Sequence, residues 1–269
     1  MSRLTIFWAA HLTATVIFLA GCWLNLSIWL QGRIEGRAKP SLWGAIGASW
    51  RFVRRVGLRR TLRALLLDGL LHRRLLRQDF WRWFAHACLL GSFLALTLLS
   101  TFTGIFEEGF VTLLNIRTPL IEAIVNKDTP LMALLNETLG LIMIAGLLLV
   151  IARRYIRRPA QLRTGPPDTL LVVLLGVTLL SGYPTEVLRL LMEQAGPGVG
   201  WYSYISYPLS LPFRSLNWPW ERLHYWVFLF HSLFASAFFA YVPFSKFFHV
   251  LVSPVVATAN SLAGEEQAA

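Results

Sequence analysis

Residues 231–249 read HSLFASAFFAYVPFSKFFH, with a histidine at each end of a run that is otherwise almost entirely apolar. A transmembrane helix needs about 20 apolar residues to cross a hydrocarbon core about 30 Å thick. The segment therefore predicts a membrane-spanning helix that carries an imidazole near each surface of the bilayer. Ionisable side chains are costly inside a membrane, so these histidines are expected to face the bundle interior with a partner or a function.

The whole chain has the composition of an integral membrane protein, because 55% of its 269 residues are hydrophobic and only 14% are charged. Runs long enough to span a bilayer occur at roughly 4–30, 84–106, 134–152, 168–190 and 225–248. The first run is too long for a signal-peptide core and lacks a cleavage site, so we expect it to be retained. We predict an all-α integral membrane bundle of five transmembrane helices.

Basic residues are concentrated between the first and second runs, and they set the predicted orientation. Thirteen lie within residues 31–82, namely Arg33, Arg37, Lys39, Arg51, Arg54, Arg55, Arg59, Arg60, Arg63, Arg73, Arg74, Arg77 and Arg82. By the positive-inside rule this segment is cytoplasmic, with the N-terminus outside and the C-terminus inside. Topology and anionic lipid account for the net charge of +11, so nucleic acid is not expected as a partner.

Three segments between the spans have patterns of their own. Residues 51–78 alternate basic pairs with Leu and Val at helical spacing and predict an amphipathic cytoplasmic surface helix, either lipid-facing or a docking platform for a soluble partner protein. Residues 191–221, rich in Gly, Pro, Trp and Tyr, predict an outer-face cap. The apolar connection 107–133 predicts a short interfacial or re-entrant helix. Without a repeat or soluble domain, residues 1–269 are interpreted as a single transmembrane domain.

Four of the six histidines, His11, His86, His231 and His249, lie within or at the ends of the predicted spans at depths that can be matched. His231 and His249 are 18 residues apart, which is five turns of a continuous helix, so we expect them on one face about 27 Å apart, with a bend at Pro243. His86 lies near the inner surface, at the predicted depth of His249. His11 and His231 are predicted to lie at the same depth below the outer membrane surface. Two pairs result, His86 with His249 and His11 with His231.

Imidazoles that converge from two helices at one depth provide the two axial ligands of six-coordinate haem iron. Two such pairs predict two haem b groups, one near each membrane surface, with one group as the minimum. The alternative is that the histidines are polar residues that hydrogen-bond between helices, which is reasonable for any single one. Four histidines at two matched depths favour haem.

Two stretches resemble a known family of membrane cytochromes. Residues 222–254, RLHYWVFLFHSLFASAFFAYVPFSKFFHVLVSP, resemble the last transmembrane helix of the gamma, cytochrome b subunit of respiratory nitrate reductase. They also resemble its relatives in heterodisulfide reductase and in the membrane complex linked to dissimilatory sulfite reductase. The shared features are the spaced histidines, PFSK before the second, and the following Pro254. Residues 74–93, RLLRQDFWRWFAHACLLGSF, resemble the second helix of the heterodisulfide and sulfite branch.

The resemblance implies a haem b subunit in a bacterial or archaeal cytoplasmic (inner) membrane. Such a subunit exchanges electrons between quinone and a cytoplasmic iron–sulfur subunit similar to the catalytic subunit of heterodisulfide reductase. It implies His86 and His249 as ligands of the inner haem and His231 as one ligand of the outer haem. The nitrate reductase pattern has a further histidine where this chain has Leu96. By depth, the second ligand of the outer haem is His11. The alternatives are that His224 supplies it in another pairing or that the chain holds one haem.

Quinone chemistry couples two electrons to two protons, so a quinone site near the outer haem needs a proton acceptor. Glu186 and Arg189 are three residues apart at the outer end of the fourth span and share a helix face. Glu186 is the candidate base, and His224 and Tyr183 are candidate hydrogen-bond partners of a quinone carbonyl. The alternative is a structural pair of Glu186 and Arg189. Arg82 and the surface-helix arginines are candidate partners of haem propionates.

Two other classes of function stay open. A cofactorless membrane anchor subunit accounts for the spans and the basic face but leaves the matched histidines unexplained. A transporter normally has broken helices or repeats near the membrane midplane. Cys22 and Cys88 lie inside predicted spans without a CxxC pattern, so an iron–sulfur cluster must come from a partner.

Overall fold

The computed structural model describes residues 3–30, 41–160, 162 and 164–268 of the chain. Within these ranges all regular secondary structure is helical. The α-helices, in chain order, are α1 (Arg3–Leu30), α2 (Leu42–Val56), α3 (Leu58–Ala64), α4 (Arg73–Gln78), α5 (Phe80–Gly104), α6 (Pro119–Val125), α7 (Pro130–Ile151), α8 (Pro166–Met192), α9 (Ser206–Ser210), α10 (Trp220–Tyr241) and α11 (His249–Ala268). The prediction of an all-α fold is confirmed.

Five stretches of the described residues are helical, long and apolar enough to cross a membrane. They are Thr5–Ile28, Phe80–Leu113, Pro119–Arg157, Pro166–Met192 and Trp220–Phe244. These stretches include π-helical turns that continue α5 and α7. They overlap the five predicted spans, so the predicted number is confirmed, whereas the orientation of the termini stays a prediction. Of the basic residues that set this orientation, Arg33, Arg37 and Lys39 lie outside the described residues.

The chain divides into two compact units, and the division runs through α1, α5, α8 and α10. Unit 1 consists of Met1–Trp8, Phe84–Gly165 and Val172–Ala235. Unit 2 consists of Ala9–Trp83, Pro166–Leu171 and Ser236–Ala269. The interpretation of residues 1–269 as one cytochrome b domain stays a prediction.

In unit 1, small residues allow the long helices to approach closely. A Cβ atom added at Gly146 on α7 would lie 2.7 Å from the backbone nitrogen of Leu89 on α5. A Cβ atom at Gly140 would lie 3.0 Å from the hydroxyl of Tyr183 on α8. Glycine at such crossings brings backbones together and so increases van der Waals contact between membrane helices.

The segment 191–221 of unit 1 forms a series of short turns around one aromatic ring. It contains α9 and the 3-10 turns Pro197–Trp201 and Leu211–Phe213. Tyr207 is buried, and the guanidinium of Arg214 lies 4.5 Å from the centre of its ring. Arg214 also donates a 2.7 Å hydrogen bond to the carbonyl of Ala195. The predicted cap is therefore a packed segment, and its location at the outer face stays a prediction.

The prediction of one continuous surface helix over 51–78 is wrong. Helix α2 begins at Leu42 and ends at Val56. Gly57, whose φ is +96°, interrupts it, and the chain continues as α3 and a π-helical turn at Leu65–Leu70. His72 then adopts a left-handed conformation and α4 follows. Gly57 allows the first break because a residue without a Cβ tolerates positive φ.

Buried polar contacts explain why the second part of this segment does not lie on the surface as the sequence pattern predicts. Asp68 is buried, and its carboxylate accepts hydrogen bonds from Ser261 on α11 at 2.7 Å and from Arg73 at 3.2 Å. A Cβ atom at Gly69 would lie 2.8 Å from the carbonyl oxygen of Pro254. The segment therefore packs against α11 within unit 2 instead of lying with one whole face in solvent.

Candidate haem and quinone sites

His231 on α10 is oriented by a serine on α8, within unit 1. Its Nδ1 lies 3.0 Å from the hydroxyl oxygen of Ser181, and this hydroxyl donates its hydrogen to the carbonyl of Thr178 at 3.1 Å. The hydroxyl has one hydrogen, so while it donates to Thr178 it accepts the hydrogen on His231 Nδ1. In that arrangement His231 is the tautomer whose Nε2 carries the lone pair, whereas a hydroxyl that donates to Nδ1 goes with a hydrogen on Nε2. Sequence reasoning missed Ser181 because this contact joins residues 50 positions apart.

His249 has a similar local arrangement in unit 2. It is the first residue of α11, and its Nδ1 donates to the backbone carbonyl of Lys246. The lone pair therefore lies on Nε2 here too. The side chain of His249 is exposed.

The prediction that His231 and His249 share one helix face is wrong. Helix α10 ends at Tyr241, a 3-10 turn covers Val242–Phe244, and Ser245 is extended with φ −116° and ψ 168°. The helical register of His231 therefore does not continue to His249. Proline cannot donate a hydrogen bond to the preceding turn, which explains why the α-helix ends just before Pro243.

The first half of the PFSK motif is anchored on α1 within unit 2. The side-chain amide of Asn25 donates a 2.9 Å hydrogen bond to the carbonyl of Pro243. A Cβ atom at Gly21 would lie 2.7 Å from both Pro243 Cβ and the ring of Phe244. The missing side chain at Gly21 thus makes room for the turn.

The second half of the motif carries the chain into α11. The Ser245 hydroxyl accepts a 3.0 Å hydrogen bond from the backbone N–H of Phe247, in the manner of a helix N-cap. Lys246 Nζ lies 2.9 Å from the buried carboxylate of Asp168 at the start of α8. Since the Lys246 carbonyl also accepts the hydrogen bond from His249, the motif acts as a turn that orients this histidine.

The remaining candidate ligands are distributed over both units. His86 lies half-buried on α5 and His224 is buried on α10, both in unit 1. His11 lies in unit 2 and stacks on Phe239 with 6.2 Å between ring centres. Each predicted pair thus has one member in each unit, and both pairings stay predictions. Arg82 lies near the start of α5, where its backbone N–H donates a hydrogen bond to Asp79.

The chemistry of His231 and His249 fits axial haem ligation. A ligating histidine binds the metal through one ring nitrogen and commonly donates the other N–H to a protein acceptor, which fixes its tautomer. The Lys246 carbonyl is such an acceptor, and the Ser181 hydroxyl has an oxygen that can take the same role. No group of three or more His, Cys, Asp or Glu side chains in the described part of the chain could hold a metal ion. Two axial histidines do not need such a group, because the porphyrin supplies the other ligands.

Arg189 on α8 is the centre of an acidic cluster in unit 1. The predicted contact with Glu186 is present at 2.7 Å, and Asp128 lies 2.6 Å from the same guanidinium. Glu193 is a third carboxylate partner. Because three carboxylates surround one guanidinium, the ionised cluster carries two negative charges in excess. Asp128 was not predicted, since its contact bridges 61 positions of the sequence.

Tyr183 connects α8 to α7 near a second carboxylate. Its hydroxyl donates a 3.0 Å hydrogen bond to the backbone carbonyl of Glu137. Glu137 is only 5% exposed. Its side chain accepts hydrogen bonds from the backbone N–H groups of Ile205 at 3.1 Å and Ser206 at 3.3 Å. Sequence reasoning missed Glu137, although an acidic residue inside an apolar span is itself a signal for a functional or structural role.

Two cavities lie within the described part of the chain, one in each unit. The cavity of unit 1 has a volume of about 500 Å³ and is lined by Gln194, Arg214, Asn217 and Trp220 among others. None of Glu186, Tyr183 and His224 lines it. The cavity of unit 2 has a volume of about 330 Å³ and contains three arginines. The location of the predicted quinone site therefore stays a prediction.

Among the described residues, five long apolar stretches make this chain a multi-pass membrane protein, and its similarity to known proteins makes it a membrane electron-transfer subunit of an oxidoreductase complex. The profile of the family described as nitrate reductase gamma subunit matches residues 109–261. The chain belongs to this family, which confirms the resemblance. His224, His231 and His249 lie within the matched residues, whereas His11 and His86 lie outside them.

Several curated proteins are similar to the chain over most of its length. One of them is a component of the dihydromethanophenazine:CoB–CoM heterodisulfide reductase from Methanosarcina acetivorans. It is 25% identical over 259 residues, covering 92% of this chain and 88% of that protein. The corresponding protein from Methanosarcina mazei is 25% identical over 258 residues, covering 92% and 89%. These relatives are subunits of a larger enzyme, a heterodisulfide reductase.

A shorter similarity connects the chain to a second enzyme. The EtfAB:quinone oxidoreductase of Syntrophomonas wolfei subsp. wolfei is 29% identical over 131 residues, which cover 44% of this chain and 18% of that protein. No solved structure matches the chain.

Proposed function

We propose that this chain is the haem b-containing membrane subunit of a respiratory complex in a bacterial or archaeal cytoplasmic membrane. It exchanges electrons between the quinone pool and a cytoplasmic iron–sulfur subunit similar to the catalytic subunit of heterodisulfide reductase. The observation that carries this proposal is the contact between His231 Nδ1 and the Ser181 hydroxyl inside a membrane span, because a histidine that donates its Nδ1 hydrogen there has Nε2 available for a metal. The names of the similar heterodisulfide reductase subunits and of the EtfAB:quinone oxidoreductase support a catalytic partner and a quinone substrate.

Four histidines and one arginine are proposed to hold the cofactor. His86 and His249 bind the inner haem, and His231 binds the outer haem together with His11, or with His224 if His11 does not reach it. Arg82 neutralises a propionate. Haem b, when bound, supplies one-electron centres between the two-electron chemistry of quinone and the partner subunit.

Glu186 is proposed as the proton acceptor for quinol oxidation. It shares the guanidinium of Arg189 with Asp128 and Glu193, so it belongs to a group of three carboxylates around one cation. The Glu193 side chain is exposed, which offers the proton a route from the cluster to water. Tyr183 and His224 are the proposed partners of the quinone carbonyls. The hydroxyl hydrogen of Tyr183 points to the Glu137 carbonyl, so donation to a quinone requires this bond to be exchanged.

The test is a dithionite-reduced minus oxidised spectrum of the purified full-length protein, with extracted haem counted per chain. Wild type is compared with His231→Ala, His11→Ala and, as a matched control, His72→Ala, which removes a histidine outside the spans. We expect two haems in wild type and in the control and one in each of the other two variants. Haem content unchanged in His11→Ala would remove His11 as a ligand. Wild-type protein without haem would favour the cofactorless anchor.

A further inference from the structure

Glu137 on α7 is a buried carboxylic acid inside a membrane span, and the proposed function leaves it without a role. Its carboxylate accepts hydrogen bonds from the backbone N–H groups of Ile205 and Ser206. Among the described residues, no cationic side chain forms an ion pair with it. A carboxylate that is buried without a cation is costly while it is ionised, and a proton removes this cost. Glu137 is therefore chemically suited to take up a proton.

Three titratable side chains of unit 1 lie close to Glu137. Tyr183 on α8 donates a 3.0 Å hydrogen bond to its backbone carbonyl. Glu186, one turn further along α8, is close enough for the two carboxylates to repel each other. Tyr204 donates a 3.2 Å hydrogen bond to the hydroxyl of Thr138, the next residue of α7. Since none of these three groups is a cation, a proton on Glu137 also relieves its repulsion with Glu186.

A buried hydroxyl without a partner lies beside this carboxylate. Ser206 is fully buried, and its hydroxyl has no hydrogen-bond partner among the described residues. The backbone N–H of the same residue lies 3.3 Å from Glu137, so the hydroxyl is near the carboxylate. Ser203, three residues earlier, has a second buried hydroxyl of this kind. Buried hydroxyls normally have partners and can both donate and accept. Their unused capacity suits a site where a proton arrives and leaves.

We propose that Glu137 is the second proton acceptor of the quinone site, which rests on the function proposed above. Oxidation of a quinol breaks two O–H bonds and releases two protons and two electrons. The electrons leave for one-electron acceptors, which the proposed haem groups supply. One proton goes to a carboxylate oxygen of Glu186 and the other to Glu137, directly or through one water. Tyr183, the proposed partner of a quinone carbonyl, lies between the two acids because it contacts Glu137 and precedes Glu186 by one turn.

The experiment uses the purified full-length protein with menadiol as the reductant. Stopped-flow absorbance gives the rate of haem reduction at a series of pH values, and infrared difference spectra follow the C=O band of protonated carboxyl groups during the same reaction. The test variants are Glu137→Gln, which cannot take up a proton, and Glu137→Asp, which can. The structural control is Arg214→Gln, which removes contacts with Tyr207 and Ala195 from the same segment 191–221. Haem per chain and thermal unfolding are measured for every variant.

We expect Glu137→Gln to slow haem reduction about 100-fold at unchanged haem content, which is the lower end of the effect of a positioned general base. Its pH profile should lose the fall in rate at acid pH that protonation of this base causes, and its infrared spectrum should lose one carboxyl band. Glu137→Asp should recover part of the rate and the band. Arg214→Gln should keep the wild-type pH profile and band.

The outcomes separate this role from the proposed function. Wild-type haem reduction that Glu137→Gln leaves unchanged would overturn the role of Glu137 alone. Equal changes of rate, pH profile and band in Glu137→Gln and Arg214→Gln would do the same, because the effect would then come from the loosened segment. Wild-type protein that lacks haem, or whose haem menadiol does not reduce, would overturn the proposed function and the role of Glu137 with it.

Discussion

The hydroxyl oxygen of Ser181 lies 3.0 Å from Nδ1 of His231 and links α8 to α10. The contact restrains both the rotation and the tautomer of an imidazole that would otherwise turn about its own bonds in an apolar span. Groups that accept the N–H of a ligating histidine fix its tautomer and ring orientation and raise its basicity.

Ser181→Ala is therefore expected to weaken haem binding without unfolding the protein. The loss of the acceptor frees the His231 ring, and outer-shell changes of this kind typically cost about 10- to 100-fold in affinity for a bound metal. Haem retained after purification, counted per chain, and the midpoint potential of the outer centre are the measurements.

Ser236→Ala is the matched control for this change. Ser236 lies on the same helix as His231 and is buried, but its hydroxyl has no hydrogen-bond partner among the described residues. We expect the control to keep its haem and its potential. Equal behaviour of the two variants would show that Ser181 does not position a ligand.

The ion pair between Lys246 and Asp168 is expected to stabilise the turn before His249. Asp168 is buried but Lys246 is 66% exposed, so solvent screening limits their coupling to about 1 kcal/mol or less. A double-mutant cycle of Lys246→Met and Asp168→Asn, read by thermal unfolding and by haem content, measures this coupling. Additive effects on both readouts would mean that the pair does not support the turn.

Glu137→Gln is expected to loosen the segment 191–221. The carboxylate accepts from two backbone N–H groups, and an amide in its place turns one acceptor into a donor that faces them. The predicted loss is about 1–3 kcal/mol of unfolding free energy. The measurements are unfolding in detergent and the rate of proteolysis within 191–221.

Glu122→Gln is the control for the same change in charge and size. Glu122 is an exposed carboxylate on α6 whose ion pair with Arg117 is also exposed, so its loss is expected to be small. If the two variants unfold alike, Glu137 does not hold the segment.

Asp68 predicts a dependence of stability on acid pH. Burial raises the pKa of this carboxyl group, but the hydrogen bond from Ser261 and the charge of Arg73 lower it by more, so its pKa lies below the ordinary value of 3.8. In this range the unfolded chain binds more protons than the folded one, so the contribution of Asp68 is complete above the ordinary pKa and is lost as the pH falls through the lowered value.

The stability difference between wild type and Asp68→Asn should therefore shrink as the pH drops below 3.8. Ser261→Ala, which removes one of the groups that lower the pKa, should move this loss to higher pH. Unfolding curves recorded at a series of pH values test both statements. A difference between wild type and Asp68→Asn that does not vary with pH would contradict them.

The sequence by itself determined the features that depend on neighbouring residues. Five spans follow from the length and apolarity of single segments, which the bilayer selects without reference to other helices. The contact of Glu186 with Arg189 follows from helical spacing of three. Family membership follows from local motifs, chiefly the histidines and PFSK in the last span.

Only the tertiary structure decided which groups meet across the chain. Ser181 meets His231, Asp128 meets Arg189 and Glu137 meets Ile205, each over 50 positions or more of sequence. Such contacts depend on the relative rotation and depth of packed helices, which the period of one helix does not contain.

The two errors in reading local pattern have the same origin. The periodicity of 51–78 suggested one surface helix, but a buried carboxylate bound to Ser261, 193 positions away, packs this segment against α11. The 18-residue spacing of His231 and His249 suggested one face, but the turn at Pro243 is anchored by Asn25 of α1 and starts a new helix. In both places a local residue, Gly57 or Pro243, permits the break, and tertiary hydrogen bonds then fix where the chain goes afterwards.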